Sequence, residues 1–212
     1  MPRCELCRLR YDAASTEDRA RHGRVHDALL RGLRYRPARS DRVVCEQDGT
    51  RVAVVARESP VAQRRRAVRT FQLASREMRY TGSGYTKREP KEQNSHAFLL
   101  YRRGRLIGLF ILARRGRWTE AAWNDEKPNG IAEVSGWTAC RNRIPEGGPL
   151  WSVDFMWIAR DRRRQGYGRL LLECAGRFLG TPPEEFGWLP PFTPFGKAFI
   201  RHVQPEEFRA AK

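Results

Sequence analysis

Four side chains near the N-terminus have the types and the spacing of a metal site. Cys4 and Cys7 are separated by two residues, and His22 follows Cys7 after fourteen further residues. His26 then stands one helical turn beyond His22. Two thiolates on a tight turn and two imidazoles at i and i+4 of one helix can hold zinc tetrahedrally. The sequence therefore predicts a zinc site at these four residues.

The segment around these ligands is predicted to be a small ββα-type zinc finger over residues 1–36. Ser15 or Thr16 can cap a helix that carries both histidines, and Gly32 can end it. A module of this size buries too little apolar surface to fold alone, so a metal ion is physically expected. The pattern does not distinguish a finger that reads DNA from one that binds a protein or braces the next domain.

A second chemical motif lies where a predicted strand, 151–159, meets a predicted helix, 169–179. The turn between them, 160–165, is basic and leads into Gly166 and Gly168. The backbone N–H groups of such a turn and the start of the helix point at an anion, and glycine lets that anion approach closely. A dinucleotide fold would need G-x-G-x-x-G early in a repeated βαβ array, and the chain has neither. The sequence therefore predicts a phosphate-binding turn.

The order of motifs is similar to that of a known family. The phosphate-binding turn, Arg163-Arg164-Gln165-Gly166-Tyr167-Gly168, resembles the R/Q-x-x-G-x-G/A pyrophosphate motif of the GNAT acetyltransferases. A finger followed by such a domain resembles the eukaryotic cohesin acetyltransferases, with interruptions at about 80–95 and 114–135. The residues that carry this resemblance are Cys4, Cys7, Tyr11, Glu17, Asp18, His22, His26 and Gly32, followed by 51–55, 106–109, 137–140, 157–158 and 193–199.

The resemblance implies an α/β (α+β) architecture over residues 37–212, namely the GNAT acyltransferase fold with a mixed, splayed central sheet. It implies acetyl-CoA as cosubstrate and direct transfer of the acetyl group to an amine, above all that of a protein lysine. Backbone N–H groups of 165–168 are expected to do most of the pyrophosphate binding. The predicted cofactor-binding residues are Ile158, Ala159, Arg163, Arg164, Gln165, Gly166, Tyr167, Gly168 and Arg169.

The general base has to be sought among other residues, because the family's aspartate in its C-terminal S-D-P-T segment falls at Pro190 or Pro191. An amine must lose a proton before it attacks, and a carboxylate can accept this proton directly or through water. Asp154 is the first candidate, since strand alternation places Ser152, Asp154 and Met156 on one side. The alternative is a structural aspartate that caps a loop or pairs with an arginine.

Glu173 is the second catalytic candidate. It coincides with an acid of the family's motif-A helix, where it could orient a water molecule or a partner group. The alternative is an exposed or ion-paired side chain on the helix surface, which is the usual state of an acid there.

The composition adds expectations about partners. The chain has 212 residues and a formal net charge of +17, which favours nucleic acid or another polyanion as a partner. Only five of the 41 basic residues are lysines, a bias typical of a GC-rich genome, and we expect a bacterial source.

No apolar run approaches the ~20 residues of a membrane span. Residues 1–5 lack the apolar stretch of a secretory signal, so we expect a cytoplasmic protein without a membrane partner.

The remaining elements are predicted from apolar patterns and turn residues. Asp48-Gly49 indicates a hairpin between 42–46 and 51–56, and the second hairpin, 97–101 with 106–113, is apolar enough for burial on both faces. The other predicted segments are a helix over 60–78, a loop over 80–94 and an irregular connection over 114–149 that could wall a substrate site.

Three functions remain open from the sequence. The first is acetylation of a protein lysine. The second is acetylation of a small amine such as an aminoglycoside or a polyamine, whose positive charge favours an acidic pocket, whereas the pocket segments here are rich in arginine. The third is a zinc-finger nucleic-acid-binding protein with a regulatory or degenerate GNAT domain. The intact glycine motif argues against degeneracy.

Overall fold

The computed structural model describes residues 1, 3–35, 37–78, 95–116, 118–123, 137–141, 149–190 and 192–211. The helices are α1 (Thr16–Arg31), α2 (Val61–Met78), α3 (Tyr167–Leu179) and α4 (Pro194–Val203). The strands are β1 (Leu33–Arg34), β2 (Arg42–Gln47), β3 (Thr50–Val55), β4 (Ser95–Arg102), β5 (Arg105–Arg115), β6 (Trp118–Trp123), β7 (Trp137–Arg141), β8 (Leu150–Ile158), β9 (Gly187–Trp188) and β10 (Glu207–Ala211). None of these helices is long and apolar enough to cross a bilayer.

The described strands form one mixed sheet. Its order is β2-β3-β4-β5-β8-β9-β10-β6-β7, and β1 pairs separately with β5. Strand β9 runs parallel to both β8 and β10, whereas the other pairs are antiparallel. The mixed sheet that the resemblance implies is therefore confirmed.

Both predicted hairpins are present, and their turns explain the strand pairing. Asp48 and Gly49 have φ angles of 50° and 69°, and Arg103 and Gly104 have φ angles of 47° and 71°. Two consecutive left-handed residues match the twist of the flanking strands, so each turn connects its strands without splaying them. Strands β4 and β5 are buried along most of their length, as the apolar pattern predicts.

Helices cover both faces of the sheet. On one face, Phe71 of α2 packs edge-on against Phe155 of β8, with ring centroids 4.8 Å apart. On the other face, Phe178 of α3 packs against Phe98 of β4 at 5.8 Å. The helix predicted over 60–78 is confirmed as α2. The central strands therefore lie between two layers of helices, and the phosphate-binding turn leads from the sheet into α3.

The prediction of an irregular connection over 114–149 is wrong in the part that the structure describes. Strand β5 continues to Arg115, and β6 and β7 pair with each other. Strand β6 also pairs with β10 at the far end of the chain, from Trp118↔Ala211 to Glu207↔Ala122. Because this pairing joins distant segments, local propensity gives little sign of it. The loop predicted over 80–94 lies outside the described residues.

The N-terminal module is joined to the sheet through β1. Leu33 pairs with Leu106 of β5, and the Arg105 guanidinium donates hydrogen bonds of 2.9 Å to both Asp27 and the Gly32 carbonyl. Gly32 has a φ of 92°, and a Cβ there would lie 2.5 Å from the Leu106 carbonyl oxygen. Only glycine fits this close approach. Strand β1 thus belongs to the large sheet although the predicted boundary at residue 36 assigns it to the finger.

Candidate functional site

The structure brings the four predicted metal ligands together. The turn that holds the two cysteines is closed by the Arg8 N–H, which donates to the Cys4 carbonyl at 2.9 Å. Helix α1 begins after Ser15, whose hydroxyl accepts from the Asp18 N–H, and it carries both histidines. The ligand atoms of Cys4, Cys7, His22 and His26 all lie within 4.8 Å of one another.

The chemistry of this cluster fits zinc. Cys7 is fully buried, and the buried Nε2 of His22 has no hydrogen-bond partner among the described residues. The ring of His22 is held by stacking on Tyr11, with centroids 3.8 Å apart. A buried nitrogen without a hydrogen-bond partner is unfavourable unless it coordinates a metal ion or another ligand. Two sulfur and two nitrogen donors are a typical ligand set for structural zinc.

The two thiols differ in acidity. Burial raises the pKa of Cys4, but hydrogen bonds from the Cys7 backbone N–H and from His26 outweigh it and lower this pKa to about 6. Burial raises the pKa of Cys7. The Cys4 Sγ and the His26 Nε2 are 3.0 Å apart, so these two groups share a proton or a metal ion readily.

The phosphate-binding turn has the backbone of an anion cradle. A 3-10 turn over Arg160–Arg162 follows β8, and then Arg164 and Gly166 adopt left-handed φ angles of 60° and 80°. Helix α3 begins at Tyr167, and Gly166 supplies no side-chain cap for its first N–H groups. These N–H groups and the positive end of the helix dipole therefore remain available to an anion.

The two glycines of the turn are needed for different reasons. A Cβ at Gly166 would meet nothing within 4 Å, so this glycine is required for its left-handed φ. A Cβ at Gly168 would lie 3.1 Å from the Phe199 ring and 3.6 Å from the Met156 Sδ. Gly168 therefore allows α3 to pack closely against α4 and β8.

The predicted cofactor side chains occupy distinct positions. The Arg163 Nε donates to the Ile158 carbonyl at 2.9 Å, and its Nη2 donates to Glu77 at 2.7 Å. Arg164 is exposed and lies over the Phe195 ring at 5.9 Å. The side-chain amide of Gln165 donates to the Asp161 carbonyl at 2.8 Å and stabilises the turn.

Three further predicted residues surround the start of α3. The Ala159 N–H donates to the Ile107 carbonyl at 2.8 Å and keeps the end of β8 on β5. Tyr167 is buried, with a hydroxyl that has no hydrogen-bond partner among the described residues. The Arg102 guanidinium lies over the Tyr167 ring at 5.5 Å. Arg169 is exposed and pairs with Glu173.

The sheet opens beside this turn. Strand β8 pairs with β9 only at Ser152↔Gly187 and Val153↔Trp188, and the Leu189 N–H then donates to the Val153 carbonyl. Strand β8 continues to Ile158 whereas β9 ends at Trp188, so the second half of β8 has no strand partner on this side among the described residues. The splayed sheet that the resemblance implies is present between these strands.

A β-bulge lies in β8 at the point of this opening. Ile111 and Leu112 of β5 are neighbours, yet they pair with Phe155 and Val153, which leaves Asp154 as the extra residue. A bulge interrupts the alternation of side chains between the two faces. Bulges are common beside active sites, where they redirect a side chain.

The prediction that Ser152, Asp154 and Met156 lie on one side of the sheet is wrong because of this bulge. Ser152 pairs with Ala113 of β5 and Met156 pairs with Phe110, and these two β5 residues face opposite sides of the sheet. Met156 lies on the other face, against Gly168 of α3. Phe155, the next residue after the bulge, faces α2.

Asp154 is buried and paired. Its side chain is 15% exposed, and the Arg115 guanidinium donates to both carboxylate oxygens. Burial raises the pKa of Asp154, whereas the Arg115 guanidinium lowers it, and burial outweighs this pairing. The ion pair predicted as the alternative is present, and the raised pKa is a property that a general base requires.

Glu173 lies in a different environment. Its carboxylate accepts from the Arg169 Nε at 2.8 Å one helical turn away, and both side chains are largely exposed. The contacts of Glu173 and those of Asp154 are separate. The structure therefore does not join the two predicted catalytic acids in one cluster of contacts.

Sequence reasoning missed three residues at this site: Glu77, Arg102 and Arg115. Glu77 has a visible signal, because it is the one acid in the otherwise arginine-rich helix α2. Glutamate is almost never fully buried unless it is paired, so an acid on a helix that packs against a sheet is a candidate for such a pair. Arg102 and Arg115 have no comparable signal, since their partners lie on other elements.

The mixed sheet, the splay beside β8 and the phosphate-binding turn at the start of α3 define the GNAT acyltransferase fold. A solved structure of the xEco2 acetyltransferase domain superposes with a TM-score of 0.64 at 16% identity, covering 83% of this chain and 98% of that one. A second structure, of the same domain bound to a CoA conjugate, gives 0.60 at 17% identity, covering 81% and 97%. The predicted fold is confirmed.

The chain is similar in sequence to N-acetyltransferase ESCO2 of Homo sapiens, with 24% identity over 207 residues. This match covers 92% of the chain and 33% of the human protein, so the chain spans about a third of that relative's length. No protein-family profile matches the chain. The predicted resemblance to the cohesin acetyltransferases is confirmed by this relative and by the two xEco2 structures.

Proposed function

We propose that this protein is an acetyl-CoA-dependent N-acetyltransferase that acts on a protein lysine. The observation that carries the proposal is the backbone of the phosphate-binding turn. Left-handed Arg164 and Gly166 and the uncapped start of α3 form an anion site beside the opening between β8 and β9. The similar xEco2 domain binds a CoA conjugate, and the similar human protein is an N-acetyltransferase.

Within this proposal, the backbone N–H groups of 165–168 hold the pyrophosphate. Exposed Arg164 and Arg169 stand at the same end of α3 and add positive charge for the phosphates. Arg102, over the Tyr167 ring, is a further candidate at this end. Arg163 supports the turn, since its guanidinium already donates hydrogen bonds to Glu77 and to the Ile158 carbonyl.

The proposed reaction is direct transfer. The amine nitrogen attacks the thioester carbonyl carbon, the new C–N bond forms, and the C–S bond then breaks to release CoA as the thiolate. The proton of the attacking amine passes to a base. Asp154 is the candidate base because its carboxylate is buried at the bulge of β8, next to the opening of the sheet.

The acceptor is identified by mass spectrometry of a cell lysate incubated with isotopically labelled acetyl-CoA and the purified protein. We expect the label on lysine side chains of one or a few proteins. Label confined to aminoglycosides, polyamines or other small amines would contradict the lysine assignment but keep the reaction. Wild-type protein that neither binds acetyl-CoA nor transfers the label would overturn the proposed function itself.

Replacing Asp154 by asparagine should lower kcat by about 100-fold while acetyl-CoA affinity changes little, because only proton acceptance is removed. In the wild type, the raised pKa of Asp154 keeps the carboxyl protonated to a higher pH than usual. The rate should therefore fall on acidification at a pH above the ordinary titration range of an aspartate. Steady-state kinetics across pH measure both effects.

The ion pair supplies a matched test of the same assignment. Arg115 lowers the pKa of Asp154, so Arg115→Met should move the acidic limb of the rate profile to higher pH. Arg114→Met is the control, because this neighbouring arginine is exposed. An acidic limb that stays in place in Arg115→Met would remove Asp154 as the base.

The two modules are assigned as a zinc finger over 1–36 and a GNAT domain over 37–212. Contacts between them support a bracing role for the finger. Asp27 of α1 pairs with Arg105 of β5, and α1 packs against the 3-10 turn over Arg160–Arg162. The finger thus stands directly beside the turn that precedes the phosphate-binding residues.

A further inference from the structure

A single buried carboxylate joins α2 to the phosphate-binding turn. Glu77 is the penultimate residue of α2, and its side chain is 3% exposed. Its Oε2 accepts from the Trp157 indole N–H at 2.7 Å. Its Oε1 accepts from the Arg160 Nε at 2.6 Å and from the Arg163 Nη2 at 2.7 Å. A buried carboxylate is unfavourable unless such donors replace water, and here all three are short.

These donors lie on both sides of one turn. Trp157 is near the end of β8, Arg160 begins the 3-10 turn, and Arg163 follows it. The Arg163 Nε also donates to the Ile158 carbonyl at 2.9 Å, which closes the same turn from within. Glu77 therefore fixes the entrance and the exit of the turn relative to α2.

The residue that follows these anchors is held in an uncommon conformation. Arg164 has a φ of 60°, a left-handed value that side chains other than glycine seldom adopt. Such a residue persists only where the surrounding structure determines it. The Glu77 anchors come directly before Arg164, and the N–H groups that follow it form the anion site.

We propose that Glu77 is a positioning residue for the cofactor, which sets acetyl-CoA affinity by fixing the phosphate-binding turn through Arg160 and Arg163. This inference rests on the proposed function. It assigns Arg163 a supporting role, so that the phosphates are held by the backbone and by the exposed arginines. Glu77 itself does not touch the cofactor.

Loss of the Glu77 charge and loss of its hydrogen bonds are expected to change CoA affinity in opposite directions. Removing a carboxylate beside an anion site makes the local potential more positive, and this alone would tighten the binding of an anion. Loss of the anchors instead lets the turn and its N–H groups move, which weakens binding. The direction of the change therefore separates the two effects.

The test is Glu77→Gln, with CoA and acetyl-CoA binding measured by calorimetry. A glutamine has a single accepting oxygen, so its amide nitrogen must face either the Trp157 indole N–H or the two arginines, and one side of the anchor is lost. We expect CoA affinity to fall by about tenfold or more in spite of the added positive charge. The KM for acetyl-CoA should rise with little change in kcat, since the turn lies away from the reacting carbonyl.

Glu46→Gln is the matched control, because it makes the same change of charge in an exposed ion pair with Arg51 on the first hairpin. We expect its affinity and its melting temperature to equal those of the wild type. Equal or tighter CoA binding by Glu77→Gln, in protein that remains folded, would overturn the inference. Wild-type protein that fails to bind CoA would contradict the proposed function instead.

A double-mutant cycle decides whether Glu77 acts through Arg163 even where Glu77→Gln lowers stability. If Arg163 supports the turn together with Glu77, then Glu77→Gln and Arg163→Gln combined should weaken CoA binding no more than the stronger single change. If Arg163 held a phosphate independently, the two losses would multiply. Multiplied losses would refute the supporting role of Arg163.

Discussion

Gly166→Val should abolish measurable acetyl-CoA binding and leave the protein folded. Gly166 has a φ of 80°, which a β-branched residue does not tolerate, so the backbone must rotate to a negative φ. The N–H groups that follow would then point elsewhere. Loss of two hydrogen bonds to a charged phosphate corresponds to more than about a hundredfold in affinity. Calorimetry with acetyl-CoA and circular dichroism measure the two outcomes.

The hairpin glycine Gly49 offers a matched control for this change. Gly49 has a φ of 69°, and like Gly166 it has no atom within 4 Å of where its Cβ would lie. Gly49→Val therefore introduces the same kind of backbone strain far along the chain from the phosphate-binding turn. We expect it to lower stability and keep acetyl-CoA affinity. Wild-type affinity in Gly166→Val would show that the turn does not hold the cofactor.

Cys7→Ser should lower the melting temperature by about 10 °C, because the loss of a structural metal costs several kcal/mol. Cys7 is fully buried among the four ligands, and a serine oxygen is a poor substitute for a thiolate. The finger is attached to the sheet through β1 and Arg105, so its unfolding should also loosen the end of β5. A thermal melt of the purified variant measures the shift.

A strong chelator should reproduce the effect of Cys7→Ser on the wild type, and elemental analysis should find one zinc per chain. Cys45→Ser is the control, since Cys45 is a half-buried thiol on β2 that lies outside the ligand cluster. Its melting temperature should change little. Purified protein without bound metal, or an equal melting temperature for Cys7→Ser, would contradict the zinc assignment.

The parts of the site that the sequence predicts are those set by neighbours along the chain. The four zinc ligands follow from the spacing of a turn and a helix, and the phosphate-binding turn follows from a strand, two glycines and a helix. In each case the geometry is local, so residue types and spacing suffice. The fold was accessible through the resemblance, because its motifs occur in the family's order.

The parts that escape prediction depend on contacts between distant segments. The bulge at Asp154 arises from the register between β5 and β8, which strand alternation cannot supply. The pairing of Arg115 with Asp154 and of Arg163 with Glu77 joins different elements. Strands β6 and β7 form against each other and against β10, a pairing that local propensity does not encode.

The two-residue strand β1 also has a consequence for solubility. It pairs with Arg105 and Leu106, the part of β5 that extends past the end of β8. Without β1, the backbone N–H and C=O groups on this side of β5 would face water unpaired. An open strand edge of this kind is a template for pairing with another chain. Strand β1 therefore covers this short edge of β5, and a chain that begins after β1 would leave these two residues open to water or to another strand.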